Sequence, residues 1–200
     1  MNDTKSIIIC GVGGQGILLA GGLLADACLR SGFDVKTSEV HGMAQRGGSV
    51  VTGVRYGKKV YSPLIGRETA DALLAFERLE AVRNLGYLVP GGSAVVNDLR
   101  IDPLPVAAGL EEYPEDLIQI LKEKVERLAI IDATHIAREV GNIRTANVVM
   151  LGGLARWLDI PLEHWHAAIE ARVPPKTLVT NIEAFRRGYE DSHNHSSQIK

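Results

Sequence analysis

Cysteine is scarce: Cys10 and Cys28 are the two thiols in 200 residues. They form no C-x-x-C pair, and each lies in an apolar stretch where a thiol behaves as a small buried hydrophobe. Neither reads as a disulfide partner or a metal ligand, and no metal site is expected. An iron–sulfur cluster takes four protein ligands, mostly thiolates, so two cysteines cannot hold one within this chain. Charge of one sign is missing too. The 22 basic and 24 acidic residues are spread along the chain and leave a formal net charge of −2, which offers no field for a polyphosphate backbone, so nucleic acid is not an expected partner. Long apolar runs are also absent. The short run after Met1-Asn2-Asp3-Thr4-Lys5 is broken by glycines and matches neither a signal peptide nor a membrane span, so the chain reads as cytoplasmic with no membrane partner. No repeat, low-complexity tract or linker divides the sequence.

What is present is a hydrophobic content of 46%, enough to bury the core of one domain. Ser6-Ile7-Ile8-Ile9-Cys10 reads as a buried strand, Gly11-Val12-Gly13-Gly14-Gln15-Gly16 as a turn, and the apolar stretch through Leu29 as a helix stopped by Gly32. A second strand over 33–38 completes a unit of βαβ length. Residues 49–56 are β-branched, and Gly57-Lys58-Lys59 before Val60-Tyr61 predicts a tight hairpin. Strands follow at 72–76, at 93–97 after the Pro90-Gly91-Gly92 turn, and at 128–132. Helices are predicted over 77–84, from Glu115-Asp116 with Leu117, Ile118, Leu121 and Val125 on one stripe, and over 134–140, 146–158, 162–171 and 181–189. The polar segment 191–200 reads as a frayed, disordered tail beyond a domain of residues 1–190. The fold class is α/β: a single Rossmann-like domain with a mainly parallel sheet, a β-hairpin insertion and a helical C-terminal part.

Two segments carry candidate chemistry. Gly11-x-Gly13-x-x-Gly16, after a strand and before a helix, has the dinucleotide-fingerprint spacing, in which glycines let the backbone approach a pyrophosphate at the positive end of a helix. Gly14 and Gln15 lie within the same turn. Glu39 stands where a ribose-binding acid belongs, with Asp34 a poorer choice. The plain alternative is a tight turn and close strand–helix packing with no ligand. The second segment is Ser38-Glu39-Val40-His41-Gly42-Met43-Ala44-Gln45-Arg46-Gly47-Gly48-Ser49, at the carboxyl end of the second strand, where open α/β sheets bind ligands. His41 is suited to proton transfer near neutral pH and Arg46 to gripping a carboxylate or phosphate, while Gly47 and Gly48 allow backbone amides to approach and Gln45 adds a polar contact. The competing account is a loop whose polar groups satisfy one another or a subunit contact. Asn147, at a helix head, either caps locally or reaches a partner. Asp132 or Thr134 as a helix cap is the simpler account of the Asp132–His135 pairing, and Trp157, Trp165 and Phe185 read as packing residues.

Taken together, Gly11-Val12-Gly13-Gly14-Gln15-Gly16-Ile17 and Ser38 through Gly48 resemble the gamma-type domain of 2-oxoacid:ferredoxin oxidoreductases. Asn147-Val148-Val149-Met150-Leu151-Gly152, Pro174-Pro175-Lys176-Thr177 and Asn181-Ile182-Glu183-Ala184-Phe185 extend the resemblance to Tyr189. Its length as a separate chain is most similar to that of the indolepyruvate-type small subunits, with the gamma subunits acting on pyruvate, 2-oxoisovalerate or 2-oxoglutarate as competitors. The resemblance implies oxidative decarboxylation of a 2-oxoacid to an acyl-coenzyme A, with electrons passed to ferredoxin. This chain has no Gly-Asp-Gly thiamine diphosphate signature. Thiamine diphosphate and iron–sulfur clusters are therefore expected on a larger partner subunit, coenzyme A as a co-substrate at the interface, and no cofactor firmly bound here. Alone, the chain is expected to be inactive; paired heterodimers are a compatible assembly. A free-standing NAD(P)-dependent dehydrogenase and a non-catalytic nucleotide-binding module are the alternatives.

Overall fold

The structure, a computed structural model, describes residues 4–41 and 47–196, with the side chains of His41 and of 193–196 excepted. The strand β1 (Lys5–Val12) is buried from Ser6 onward, as a strand covered on both faces must be. Its side chains alternate between two cores: Ile7 and Ile9 join one, Ile8 and Cys10 the other. The same alternation holds in β4 (Ala70–Ala75) and β5 (Leu88–Asn97), where Leu74 and Val95 face the first core and Leu73 and Val96 the second.

The first core lies under α1 (Ile17–Arg30), α5 (Ala133–Glu139), α6 (Ala146–Ala155), α7 (Leu162–Arg172) and α8 (Leu178–Ser196). The second lies under α2 (Arg78–Asn84) and α4 (Leu117–Lys124). A one-turn helix, α3 (Leu104–Ala107), sits between β5 and α4. Trp165 and Phe185 are fully buried, 5.6 Å apart between ring centroids, and Trp157 packs partly buried against the same core, so all three are packing residues.

With β2 (Asp34–His41), β3 (Ser49–Gly57) and β6 (Arg127–Ile131), the sheet order is β2-β3-β1-β4-β5-β6. The pairs β1–β4, β4–β5 and β5–β6 are parallel, while β3 is antiparallel to both β1 and β2. The mainly parallel α/β sheet therefore forms, but its hairpin differs from the predicted one. It joins β2 to β3, and Val60-Tyr61 is not a strand. Both edges of β3 are taken by β1 and β2, so a strand returning after Gly57 has no edge to pair with. The following segment is instead held as a strap, with the Arg55 guanidinium donating to the carbonyls of Ser62 and Leu64 at 2.8 and 3.1 Å. A second departure lies at the C-terminus. The last helix, expected over 181–189, runs from Leu178 to Ser196, braced on its surface by Arg186 between Glu183 and Glu190, and so enters the segment expected to fray.

Candidate functional site

The carboxyl ends of β1, β4 and β5 meet at one edge of the sheet, and the start of β3 lies beside them. Here the glycine-rich turn is closed by its own glutamine. Gln15 Oε1 accepts the Val12 N–H at 2.7 Å, and Gln15 Nε2 donates to the Phe76 carbonyl at 2.8 Å. Gln15 thus ties the turn to β4. The Gly13 N–H donates to the Gly48 carbonyl at 2.8 Å, and the Gly47 N–H returns to Gly13 O at 3.4 Å. Two strand ends are clasped, and the Val12, Gly13 and Gln15 amides all have protein acceptors.

Gly16 opens α1 with φ 83°, in the left-handed region that disfavours a side chain. A Cβ there would also lie 2.6 Å from Asn147 Nδ2. The first N–H taken up by the helix is that of Ala20, onto Gly16 O at 3.0 Å, so the first-turn amides of α1 point outward without intrahelical acceptors. Asn147 stands beside them and is only 5% exposed, and its amide makes no hydrogen bond to any other described residue. It does not cap its own helix: Thr145 holds the cap position of α6, without a side-chain cap bond. An open helix head and the side-chain amide of this largely buried residue, with donors unused among the described residues, form the chemical core of the candidate site.

Glu39 is not beside this head. It lies on the outer strand β2, paired with Thr52 of β3, and β3 separates β2 from β1, a displacement of about 10 Å at ordinary strand spacing. The arrangement of a dinucleotide fold, with the ribose acid on the strand next to the turn, is broken by the inserted antiparallel strand. His41 pairs in register with Val50. Gly42 through Arg46, and with them the predicted Gln45 and Arg46 contacts, lie outside the described residues. Gly47 and Gly48 form the clasp with Gly13.

Three buried polar residues at this edge escaped the sequence reading. Glu77, 1% exposed, accepts the Glu80 N–H at 2.8 Å as the α2 cap and the Tyr113 hydroxyl at 2.5 Å. Glu80, 2% exposed, accepts the Ser49 hydroxyl at 2.6 Å and pairs with Arg83 at 2.7 Å. Asn97 donates to Phe76 O at 3.2 Å and accepts the Ala133 N–H at 3.0 Å. Glutamate is not a favoured cap residue, and the partners of the Glu80 carboxylate, Ser49 and Arg83, are not those of a capping box, so the acidic start of α2 was the one local signal. At α5, Asp132 Oδ1 accepts the His135 N–H at 2.9 Å, so the Asp132–His135 pairing is a helix cap.

Both thiols are free and buried. Burial, and then the nearby Glu80 and Glu77 carboxylates, raise the Cys10 pKa well above its usual value, and burial pushes Cys28 up to about 12. Neither fits a thiolate ligand of an iron–sulfur cluster. Among the described residues no three His, Cys, Asp or Glu side chains are grouped to hold a metal, and no helix is long and apolar enough to cross a membrane.

The chain is 43% identical over 188 residues to the indolepyruvate oxidoreductase subunit IorB of Thermococcus kodakarensis, covering 92% of this chain and 93% of the relative. Its fold is shared by the gamma subunit of a keto/oxoacid ferredoxin oxidoreductase from Geobacter sulfurreducens, with TM-score 0.76, 24% identity and coverage of 96% and 98%. It recurs within a 2-oxoglutarate:ferredoxin oxidoreductase from Magnetococcus marinus solved with 2-oxoglutarate, coenzyme A and succinyl-CoA, with TM-score 0.75, 24% identity, 97% of this chain and 32% of that one. Residues 6–191 match the pyruvate ferredoxin/flavodoxin oxidoreductase family, and to that family this chain belongs.

Proposed function

We propose that this chain is the small subunit of an indolepyruvate:ferredoxin oxidoreductase, inactive alone, that packs against a larger subunit carrying thiamine diphosphate and iron–sulfur clusters. At their junction it presents the head of α1 to an anionic part of coenzyme A. The observation that carries the site is Asn147: a residue only 5% exposed whose amide has no partner among the described residues and is set against Gly16 at the open end of α1. Outward N–H groups and the positive end of a 14-residue helix suit a phosphate, and Asn147 adds a directional donor. Support for an aryl-pyruvate substrate comes from the 43% identical relative. The two buried thiols cannot supply cluster ligands, which supports placing electron transfer on the partner.

Within this role the chain's own residues bind and orient; none is assigned a proton or electron transfer. The partner's thiamine diphosphate supplies decarboxylation chemistry when bound. Gln15 and the Gly13–Gly48 clasp hold the turn rigid, and Gly16 keeps the helix head free of a side chain. The test is co-expression with a thiamine-diphosphate, iron–sulfur partner subunit, followed by coenzyme A-dependent viologen reduction with indolepyruvate, phenylpyruvate and pyruvate. Activity confined to the co-purified complex and greatest with the aryl pyruvates is the expected result. Turnover by the isolated chain with NAD(P), or NAD(P) binding without a complex, would overturn it.

A further inference from the structure

The buried Glu80 carboxylate lies outside the helix head yet connects to it. Its backbone is fixed from three sides: its N–H donates to Glu77, and its carbonyl accepts from Asn84 Nδ2 at 2.8 Å and from Cys10 Sγ at 3.5 Å. Ala81 anchors the same helix turn in the second core. From this rigid base the carboxylate accepts the Ser49 hydroxyl at 2.6 Å, a charge-assisted bond stronger than a neutral one. Ser49 is the first residue of β3, opposite Val12 in register, and directly follows Gly47 and Gly48, the two residues whose backbone clasps Gly13. Val12, Gly47, Ser49, Glu80 and Arg83 line one small cleft. A buried charge is not needed to pack α2, since an apolar residue of similar size serves as well or better. What the carboxylate adds is a fixed acceptor at the base of the clasp.

We propose that Glu80 is a positioning residue. It touches no ligand, but through Ser49 it sets the Gly13–Gly48 clasp, and with it the direction of the N–H groups at the head of α1. This rests on the reading of that head as a coenzyme A contact.

The experiment uses the co-purified complex and measures KM for coenzyme A, kcat and Tm for Ser49→Ala, Glu80→Ala, Glu80→Gln and Asn147→Ala. Ser49→Ala and Glu80→Ala are expected to raise KM for coenzyme A by about five- to tenfold, part of the loss typical of a hydrogen bond to a charged group, with kcat within about twofold. Glu80→Gln keeps an acceptor oxygen for Ser49 while losing the Arg83 ion pair. Its KM should therefore return to within about threefold of wild type even where Tm falls, a split that a merely structural role would not give. Ser49 is exposed, so Ser49→Ala retains the test if Glu80→Ala does not fold. Unchanged KM in Ser49→Ala, with a raised KM in Asn147→Ala, would overturn the role of Glu80 and leave the helix-head site standing. Unchanged KM in Asn147→Ala would overturn both.

Discussion

Gln15 and Asn97 share one acceptor: the Phe76 carbonyl takes Gln15 Nε2 at 2.8 Å and Asn97 Nδ2 at 3.2 Å. Through their other ends the two amides reach Val12 N–H and Ala133 N–H. One chain of hydrogen bonds thus links the carboxyl ends of β1, β4 and β5 to the head of α5, in the layer on which the proposed ligand site stands. Asn97 is 2% exposed, so its loss leaves the Ala133 N–H without its acceptor, while the Phe76 carbonyl keeps Gln15 Nε2. Asn97→Ala is expected to destabilise the protein by about 1–3 kcal/mol, the cost of one unsatisfied buried group. Urea denaturation measures it, and a loss below about 0.5 kcal/mol would show that water replaces the amide.

Much of this was legible in the sequence because it rests on local rules. The glycine turn, the stop of α1 before Gly32 and the Asp132 cap each follow from residues within one or two turns of chain. The place of β3 did not. Its β-branched residues announce a strand, but whether it pairs forward past Gly57 or backward with β2 depends on which sheet edges are free, a tertiary fact. The separation of Glu39 from the glycine turn follows from that same insertion. Asn147 was visible as a polar residue at a helix head, yet its meeting with Gly16, across 131 positions of chain, carries no local signal. The extension of α8 to Ser196 was hidden by a polar composition that suits a solvated helix surface as well as a frayed end.

The contact between α6 and α8 depends on two glycines. A Cβ on Gly152 would overlap the Phe185 carbonyl oxygen, and one on Gly188 the Val149 carbonyl oxygen. These clashes are with backbone, so relief requires the helices to separate. Gly152→Ala and Gly188→Ala should each cost at least about 2–3 kcal/mol, at the upper end of overpacking effects, and lower Tm or the soluble yield. A Tm within about 1 °C of wild type would mean that α8 slides freely on α6, since even 1 kcal/mol moves Tm by about 2–4 °C in a chain of this size.

The two thiols should be silent in the native state. Cys28 titrates at about 12 and Cys10 also above its ordinary value, so at pH 8 neither should react with an aromatic disulfide reagent until denaturant is added. The same shifts set a pH dependence. A folded-state pKa above the unfolded one means that the native protein keeps a proton which the unfolded chain has lost, so stability is full below the unfolded value and falls as pH rises from about 9 toward 12. Cys28→Ala should flatten part of that fall in an alkaline Tm series. Rapid labelling of native protein at pH 8 would contradict the burial of both side chains.

Asn147 provides the sharpest test of charge at the helix head. Asn147→Asp preserves shape but replaces a donor with a negative charge, 2.6 Å from where a Gly16 side chain would begin. A carboxylate there competes with any incoming anion for the positive end of α1, and it is itself stabilised by that end. The variant should therefore be at least as stable as wild type while binding coenzyme A more weakly. Replacing attraction by repulsion at a charge-assisted contact corresponds to about 1.5–3 kcal/mol, or a KM for coenzyme A raised roughly ten- to hundredfold in the assembled complex. Salt should narrow the gap, because screening weakens both the repulsion and the attraction it replaces. A wild-type KM for the Asn147→Asp complex at low ionic strength would place the anionic groups of coenzyme A away from α1.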